Sequence, residues 1–257
     1  MPAASPRVLV PAVVLILLAG VGGAYALLLL AVRDTEVERT SRRGVDTLVV
    51  TAHSDDIELT AAPAGAPVEV TRHVRKSFES PDRRESFSGG RLKLDYSCDG
   101  WPLDVCGIDY EISVPPGTRV VAGSGSGEVV AVGIRSRRGL ELSSGSGDVT
   151  ADTVSAARLE LESGSGGVVA TGVSARLLAA HAGSGDVVID LGQPPNLLRV
   201  DAGSGDVILT VPDVAYELRA STPGGGLFNS GLRVDSPSTH RIDIDAGSGE
   251  VRLAPAE

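Results

Sequence analysis

Carboxylates recur at one position of a repeated motif, and they are the side chains best placed to do chemistry. The motif is Gly-Ser-Gly followed by an acidic residue and a valine, with the acids at Glu128, Asp148, Asp186, Asp206 and Glu250. Stacked repeats would bring these carboxylates to about 5 Å, where they could hold a row of Ca²⁺ ions. Ca²⁺ takes six to eight oxygen ligands and each repeat supplies one carboxylate, so solvated or turn-capping acids are favoured. The candidate metal ligands are Asp148, Asp186 and Asp206.

The motifs of known enzyme active sites do not occur in this sequence. Gly-Ser-Gly places glycine directly beside serine and does not fit the Gly-x-Ser-x-Gly nucleophile motif. Neither a Gly-x-Gly-x-x-Gly dinucleotide motif nor a P-loop occurs, and the four histidines lack the His-Glu-x-x-His spacing. The sequence therefore predicts a protein that is not an enzyme, with no catalytic residue and no cofactor.

The glycine motif recurs at nearly constant spacing, which is typical of a solenoid. The steps from one first glycine to the next are 20, 19, 19, 20 and 44 residues, and 44 is close to two steps of 22. A degenerate coil is therefore expected in the long interval, with Pro223-Gly224-Gly225-Gly226 in place of the motif. The repeat glycines are Gly125, Gly127, Gly145, Gly147, Gly164, Gly166, Gly183, Gly185, Gly203, Gly205, Gly247 and Gly249.

Apolar residues alternate on both sides of each glycine motif. In one repeat they are Leu140 and Leu142 before it and Val149 and Ala151 after it. A period of two places each pair on one face of a strand, and stacking equivalent strands makes parallel sheets with buried Val and Leu ladders. Glycine suits the corner between the strands because a corner needs either positive φ or close backbone approach. The sequence predicts an all-β, parallel β-solenoid with about 20 residues per coil.

An uncharged stretch of 25 residues, 8–32, precedes the repeats. As a helix it would be about 37 Å long, enough to cross a hydrocarbon core of roughly 30 Å. A cleaved signal peptide is the alternative, but its apolar region is usually about 7–15 residues. The expected organisation is a cytoplasmic tail (1–7), a transmembrane anchor (8–32), a charged spacer (33–44) and an extracytoplasmic solenoid (45–257), with regular repeats over 118–257.

The two cysteines, Cys98 and Cys106, are predicted to form a disulfide. The residues between them include the turn formers Asp99-Gly100 and Trp101-Pro102, which let the segment fold back. A disulfide persists only in an oxidising compartment, so the body is expected outside the cytoplasm. The arginines that follow the apolar stretch favour the opposite orientation, so charge alone does not decide it.

The charges of the body bear on its partners. Net charge is −10, which argues against nucleic acid as a partner, because binding there depends on neutralising phosphates. Basic residues concentrate between Arg72 and Gly90, mixed with acids. This segment is either a basic patch for an anionic wall polymer or lipid headgroup, or a solvated protruding loop, and the mixed charges favour the loop.

The repeats resemble a family of bacterial putative adhesins, a domain of unknown function built from β-strand repeats with a Gly-Ser-Gly-Asp-Val signature. The resemblance is carried by the six motifs and by residues 109–118, which precede the first, and it covers about residues 45–257. It implies a parallel β-solenoid displayed at the cell envelope, often behind one membrane anchor. Gly167, in place of the third acid, and Gly224–Gly226 depart from the pattern.

Three functions are compatible with these features. The favoured one is a non-enzymatic, single-pass membrane protein of the cell envelope whose solenoid binds an envelope polymer or protein partner. The alternatives are a sensory or regulatory partner of envelope-stress machinery and a polysaccharide-active β-helical enzyme. A groove with convergent carboxylates would favour the enzyme, and a flat face of Thr, Ser and Val would favour binding.

Overall fold

The structure, a computed structural model, describes residues 34–76, 80–98 and 106–256, and these residues form strands, turns and bends without a helix. The strands in chain order are β1 (Asp34–Arg42), β2 (Thr47–Ala52), β3 (Ile57–Ala61), β4 (Val68–Lys76), β5 (Asp82–Arg83), β6 (Ser86–Ser88), β7 (Arg91–Leu94), β8 (Tyr96–Ser97), β9 (Gly107–Val114), β10 (Arg119–Ser124), β11 (Val129–Val132), β12 (Arg135–Ser136), β13 (Leu140–Ser144), β14 (Val149–Asp152), β15 (Ser155–Ser163), β16 (Val168–Ala182), β17 (Val187–Leu191), β18 (Leu197–Ala202), β19 (Val207–Val211), β20 (Glu217–Ser221), β21 (Leu227–Asn229), β22 (Arg241–Ala246) and β23 (Val251–Pro255).

Two broad layers of strands face each other. Sheet A has the order β1-β4-β9-β3-β11-β14-β16-β17-β19-β23-β21. Sheet B has the order β6-β7-β2-β10-β13-β15-β16-β18-β22-β20. Every pairing within the two orders is parallel except β1–β4, β4–β9 and β6–β7. The all-β, parallel part of the prediction is confirmed.

The chain passes repeatedly from sheet B through a tight turn to sheet A and back. We call the edge with the Gly-Ser-Gly turns the corner side, and the opposite edge, where β12 lies, the return side. Successive turns of the chain pair in register, as where Leu140 of β13 lies beside Leu159 of β15. The long β16 serves both layers, with Val168–Ala170 in sheet A and Leu177–Ala182 in sheet B.

The spatial order of the coils departs from chain order at both ends. At the C-terminal end, β22 and β23 lie directly on β18 and β19, and the degenerate coil of β20 and β21 is outermost. The spacing of 44 residues suggested that the degenerate coil lies between the coils that precede and follow it in the chain. The structure instead places it outside both of them. At the other end, β7 and β9 lie outside β2 and β3. In both places an irregular coil closes the stack.

Antiparallel strands β4 and β1 complete sheet A at its N-terminal end. The sequence predicts a spacer over 33–44, whereas most of that segment forms β1. The sequence also predicts an irregular loop from Arg72 onward, and this is wrong for 72–76, which continue β4. The alternation of buried positions persists through Val70, Arg72 and Val74, and Arg72 occupies a core position because Thr40 and Glu85 pair with its guanidinium.

The core consists of apolar ladders between the two sheets. Val129, Val149, Val168 and Val187 form one ladder, and each is buried. The buried aromatic residues lie at the ends, with Tyr96 and Tyr110 near β9 and Tyr216 before β20. Thin coils leave space for aliphatic side chains, whereas the irregular end coils accept larger rings.

The predicted anchor, residues 8–32, and the cytoplasmic tail lie outside the described residues. Within the part of the chain that is described, no helix has the length and apolar character needed to cross a membrane.

Candidate interaction surface

The corner glycines form a column in which each approaches the backbone of the coil before it. A Cβ added at Gly147 would lie 2.3 Å from the carbonyl oxygen of Gly127, and one at Gly145 would lie 2.4 Å from that of Gly125. None of the twelve repeat glycines has a positive φ. Of the two reasons that the sequence allows for glycine at the corner, close backbone approach is therefore the one that applies.

A serine directly before the first glycine stabilises three of the corners. Ser144 Oγ donates to Gly127 O at 2.8 Å and accepts from Gly147 N at 2.9 Å. Ser124 makes both kinds of bond, and Ser163 donates to Gly147 O at 2.9 Å. The serine that makes these bonds is the buried residue one position before the Gly-Ser-Gly motif.

The repeated aspartates bind the backbone of the next coil. Asp148 Oδ1 accepts from Gly167 N at 2.7 Å, Asp186 Oδ1 from Asp206 N at 2.8 Å, and Asp206 Oδ1 from Glu250 N at 2.8 Å. These are the three residues that the sequence names as weak metal candidates. Each has one oxygen occupied by an amide, which is the turn-capping role. Within the described residues no group of three or more His, Cys, Asp or Glu side chains is arranged to hold a metal ion.

A polar cluster around Asp55 closes the N-terminal end of the corner column. Asp55 is buried and accepts hydrogen bonds from Tyr96 Oη, Arg75 Nη2 and the backbone N of Ile108. Arg75 also reaches Asp109 at 3.2 Å. A Cβ on Gly107 would lie 2.5 Å from Asp55 Oδ1, so glycine is needed there. Sequence motifs did not identify this cluster.

Two carboxylates of this cluster, Asp55 and Asp109, bind the same guanidinium of Arg75, so the cluster bears on catalysis. Burial raises the pKa of Asp109, although Asp56 N–H and Arg75 act in the opposite direction. Both oxygens of Asp55 are already bound by protein donors, and Asp109 Oδ1 accepts from Asp56 N at 3.1 Å. These bonds are those of a structural cluster that joins β3, β4 and β9.

Tyr110, next to this cluster, makes stability depend on pH. Burial is the main reason that its pKa rises from 10.0 to about 12. As pH rises above about 10, the unfolded chain loses the phenolic proton while the folded chain keeps it, so stability falls until about pH 12. We expect Tyr110→Phe to reduce this fall by up to about 3 kcal/mol, since each pKa unit corresponds to 1.36 kcal/mol. The free energy of unfolding in urea is measured at about pH 9 and pH 12 for the unsubstituted protein and for Tyr110→Phe. Equal losses of unfolding free energy in the two proteins would contradict the prediction.

The disulfide between Cys98 and Cys106 is present, with the two Cα atoms 6.0 Å apart. It connects the end of β8 to the start of β9, beside the cluster of Asp55. The prediction of this bond from the sequence is confirmed. Because it closes the loop that carries the chain from sheet B to sheet A in the outermost coil, it takes the place of a glycine corner.

The outer surface of sheet A, called face A, carries a row of β-branched side chains. The row consists of Val130, Thr150, Val169, Val188 and Ile208 in register on neighbouring strands. Ile208 is 37% exposed, and Phe228 on the last strand of the sheet is 51% exposed. Asp152 and Asp190 lie on nearby strands with β16 between them. Apart from these two aspartates, the middle of face A is formed by the uncharged row from Val130 to Ile208.

The outer surface of sheet B, called face B, is different. It carries several ion pairs between arginines and acids, including Arg158–Glu160 at 3.1 Å and Arg241–Asp243 at 2.7 Å. Exposed pairs of this kind contribute little to stability, but they keep the surface hydrated. Face A is the broad surface better suited to apolar contact with a partner.

Comparison with known proteins identifies one family and a set of similar folds. The family described as Toastrack DUF4097 matches residues 117–254. No curated protein matches the chain. A crystal structure of a putative adhesin from Bacteroides fragilis NCTC 9343 has a TM-score of 0.53 at 12% identity, covering 86% of this chain and 97% of that one.

Two further crystal structures align less well. A putative lipid binding protein from Parabacteroides distasonis ATCC 8503 has a TM-score of 0.47 at 12% identity, covering 86% of this chain and 97% of that one. A putative cell adhesion protein from Clostridium sporogenes ATCC 15579 has a TM-score of 0.42 at 11% identity, covering 87% and 100%. At these identities the Bacteroides structure is evidence for the fold alone.

Proposed function

Because this chain belongs to the Toastrack DUF4097 family, we propose that it is a non-enzymatic, membrane-anchored protein of the cell envelope. Its β-solenoid is displayed outside the cytoplasm and binds a polymer or protein partner through face A. The single observation that carries the proposal is the row from Val130 to Ile208, since partly exposed apolar surface that continues across a regular sheet is typical of an interaction site. The name adhesin borne by the Bacteroides structure agrees with it.

The uncharged stretch 8–32 and the disulfide support the anchor and its orientation. β1 begins at Asp34, two residues after the stretch ends. The proposed anchor and the body are therefore joined without a long flexible linker. Sidedness can be measured with a membrane-impermeant maleimide on intact cells. We expect labelling of Cys98 and Cys106 only after a reductant is added, and labelling that requires cell lysis would contradict the orientation.

Binding through face A predicts a difference between two matched pairs of lysine substitutions. Val169 and Val188 are register neighbours on face A, whereas Val49 and Val121 are register neighbours on face B. We expect Val169→Lys with Val188→Lys to weaken binding of isolated cell-envelope fragments to cells displaying the full chain by roughly tenfold or more, because charge on a desolvated contact is costly. Val49→Lys with Val121→Lys should leave binding within about twofold.

The matched design separates binding from folding. Each double substitution places two like charges on adjacent strands, so both should lower stability by similar amounts. The amount of displayed protein is measured in parallel with an antibody to a terminal tag. Equal loss of binding in the two variants, or no loss in either, would contradict a role for face A.

A further inference from the structure

A groove of about 690 Å³ opens on the return side of the stack. Pro116 and Gly117 form one end, and the side chains of Arg135, Arg137 and Arg176 line it. Small residues, including Ser155 and Ala157, form its floor. The lining contains three positive charges and no carboxylate.

The three arginines lack ionic partners in the described part of the chain. No hydrogen bond or ion pair joins the guanidinium of Arg135, Arg137 or Arg176 to another described residue. Several arginines on the broad faces do pair, as Arg158 does with Glu160 at 3.1 Å and Arg241 with Asp243 at 2.7 Å. In a chain of net charge −10 such partners are abundant. A cluster of unpaired arginines at one groove therefore marks a local positive potential within an acidic protein.

Strand register fixes the spacing of these charges. Ser136 pairs with Ala156, and Ala156 pairs with Ala175, and Arg137 and Arg176 directly follow Ser136 and Ala175, two coils apart. Two coils correspond to about 10 Å, and Arg135 and Arg137 flank Ser136, which separates them by about 7 Å in extended backbone. The positive charges thus stand on opposite walls with a narrow uncharged floor between them.

This arrangement suits phosphate better than carboxylate. The oxygens of phosphate are tetrahedral, so guanidinium groups from both walls can bind one group at once, whereas carboxylate offers its two oxygens in a single plane. The Ser155 hydroxyl on the floor can donate a further hydrogen bond. We propose that this groove binds the phosphate groups of a linear polyanion.

The position of the groove favours a polymer over the lipid headgroups of the anchoring membrane. β1 starts at Asp34 on the corner side, opposite Lys76, and ends on the return side. Its nine residues span about 30 Å, so the groove lies far from the point where the chain enters from residues 1–33. The preference for a polymer over lipid headgroups rests on the proposed membrane anchor, whereas the binding of phosphate at the groove does not.

The test is calorimetric titration of the purified full-length chain with linear inorganic polyphosphate. We expect saturable binding that weakens roughly tenfold or more in Arg137→Gln with Arg176→Gln, because charge-assisted bonds on both walls are lost. Arg219→Gln removes one exposed arginine that pairs with Glu217 on face B and should leave the affinity within about twofold. The salt dependence of binding should also become shallower in the double variant.

Two further titrations identify the source of the anion. Poly-glutamate, a carboxylate polymer, is expected to bind more weakly than polyphosphate, and a soluble short-chain phosphatidylglycerol is expected to bind more weakly still. Equal binding of poly-glutamate would overturn the preference for phosphate. If phosphatidylglycerol bound more tightly than polyphosphate, the proposed ligand would be a lipid headgroup and not a polymer. Absence of binding, or equal weakening by Arg219→Gln, would overturn the site itself. None of these results depends on face A.

Discussion

Replacing Gly147 with alanine is expected to lower stability by about 3 kcal/mol or more. The new Cβ would lie 2.3 Å from the oxygen and 2.6 Å from the carbon of the Gly127 carbonyl. These are backbone atoms held by the parallel ladders on both sides of the corner, so the strain cannot be relieved by rotating a side chain. For a chain of this size the loss corresponds to about 6–12 °C in melting temperature.

Two alanine variants serve as controls for Gly147→Ala. Ser146→Ala changes the neighbouring exposed residue and should shift the melting temperature by about 2 °C or less. Gly167→Ala adds a Cβ whose nearest neighbour is Asp186 O at 3.3 Å, so its cost should be intermediate. The melting temperature is measured by circular dichroism. If the three variants melted together, close packing of the corners would not be the reason for glycine.

Asp55→Ala is expected to cost about 3 kcal/mol or more through a different mechanism. The substitution leaves the Tyr96 hydroxyl and the Ile108 N–H without their acceptor inside the protein, and it leaves Arg75 with Asp109 alone. Buried donors that lose their partner cost about 1–3 kcal/mol each. Asp55→Asn should cost less, because the amide oxygen still accepts a hydrogen bond.

The control for this prediction is Asp245→Ala, at an exposed aspartate on face B. Urea unfolding measures the free energy of unfolding, which should change by no more than about 0.5 kcal/mol in this control. If Asp55→Ala and Asp245→Ala lowered the free energy of unfolding by similar amounts, the cluster around Asp55 would not be what stabilises the N-terminal end of the stack.

The first coil illustrates why the sequence revealed the column of corners but not its end. Leu48 and Val50 precede His53 at the same distances as Val120 and Ala122 precede Gly125, so the apolar spacing was available. The glycines that made the pattern conspicuous are absent there. At His53 and Asp55 side chains stand in place of the glycines, and they bind the coil outside them, His53 Nε2 at Tyr96 O (2.6 Å) and Asp55 at the Ile108 N–H.

The degenerate coil could also be predicted from the sequence only in part. Its strand pattern and its glycines at 224–226 were evident in the sequence, and both of its strands form. Its place at the outer end of the stack was not evident, because period and composition do not state which coil pairs with which. Pairing of β18 with β22 leaves the regular corners of Gly203 and Gly247 in contact and puts the irregular one outermost, where it has a single neighbour.

By itself the sequence determined the all-β class, the parallel repeats, the corner positions and the disulfide, because each depends on local spacing. Period-two alternation, a step near 20 residues and turn formers between two cysteines need no distant partner to be recognised. Only the tertiary structure decided the order of the end coils, the buried cluster of Asp55 and the groove lined by Arg135, Arg137 and Arg176. Those features depend on which strands lie side by side, and strands far apart in the chain become neighbours only when the coils stack.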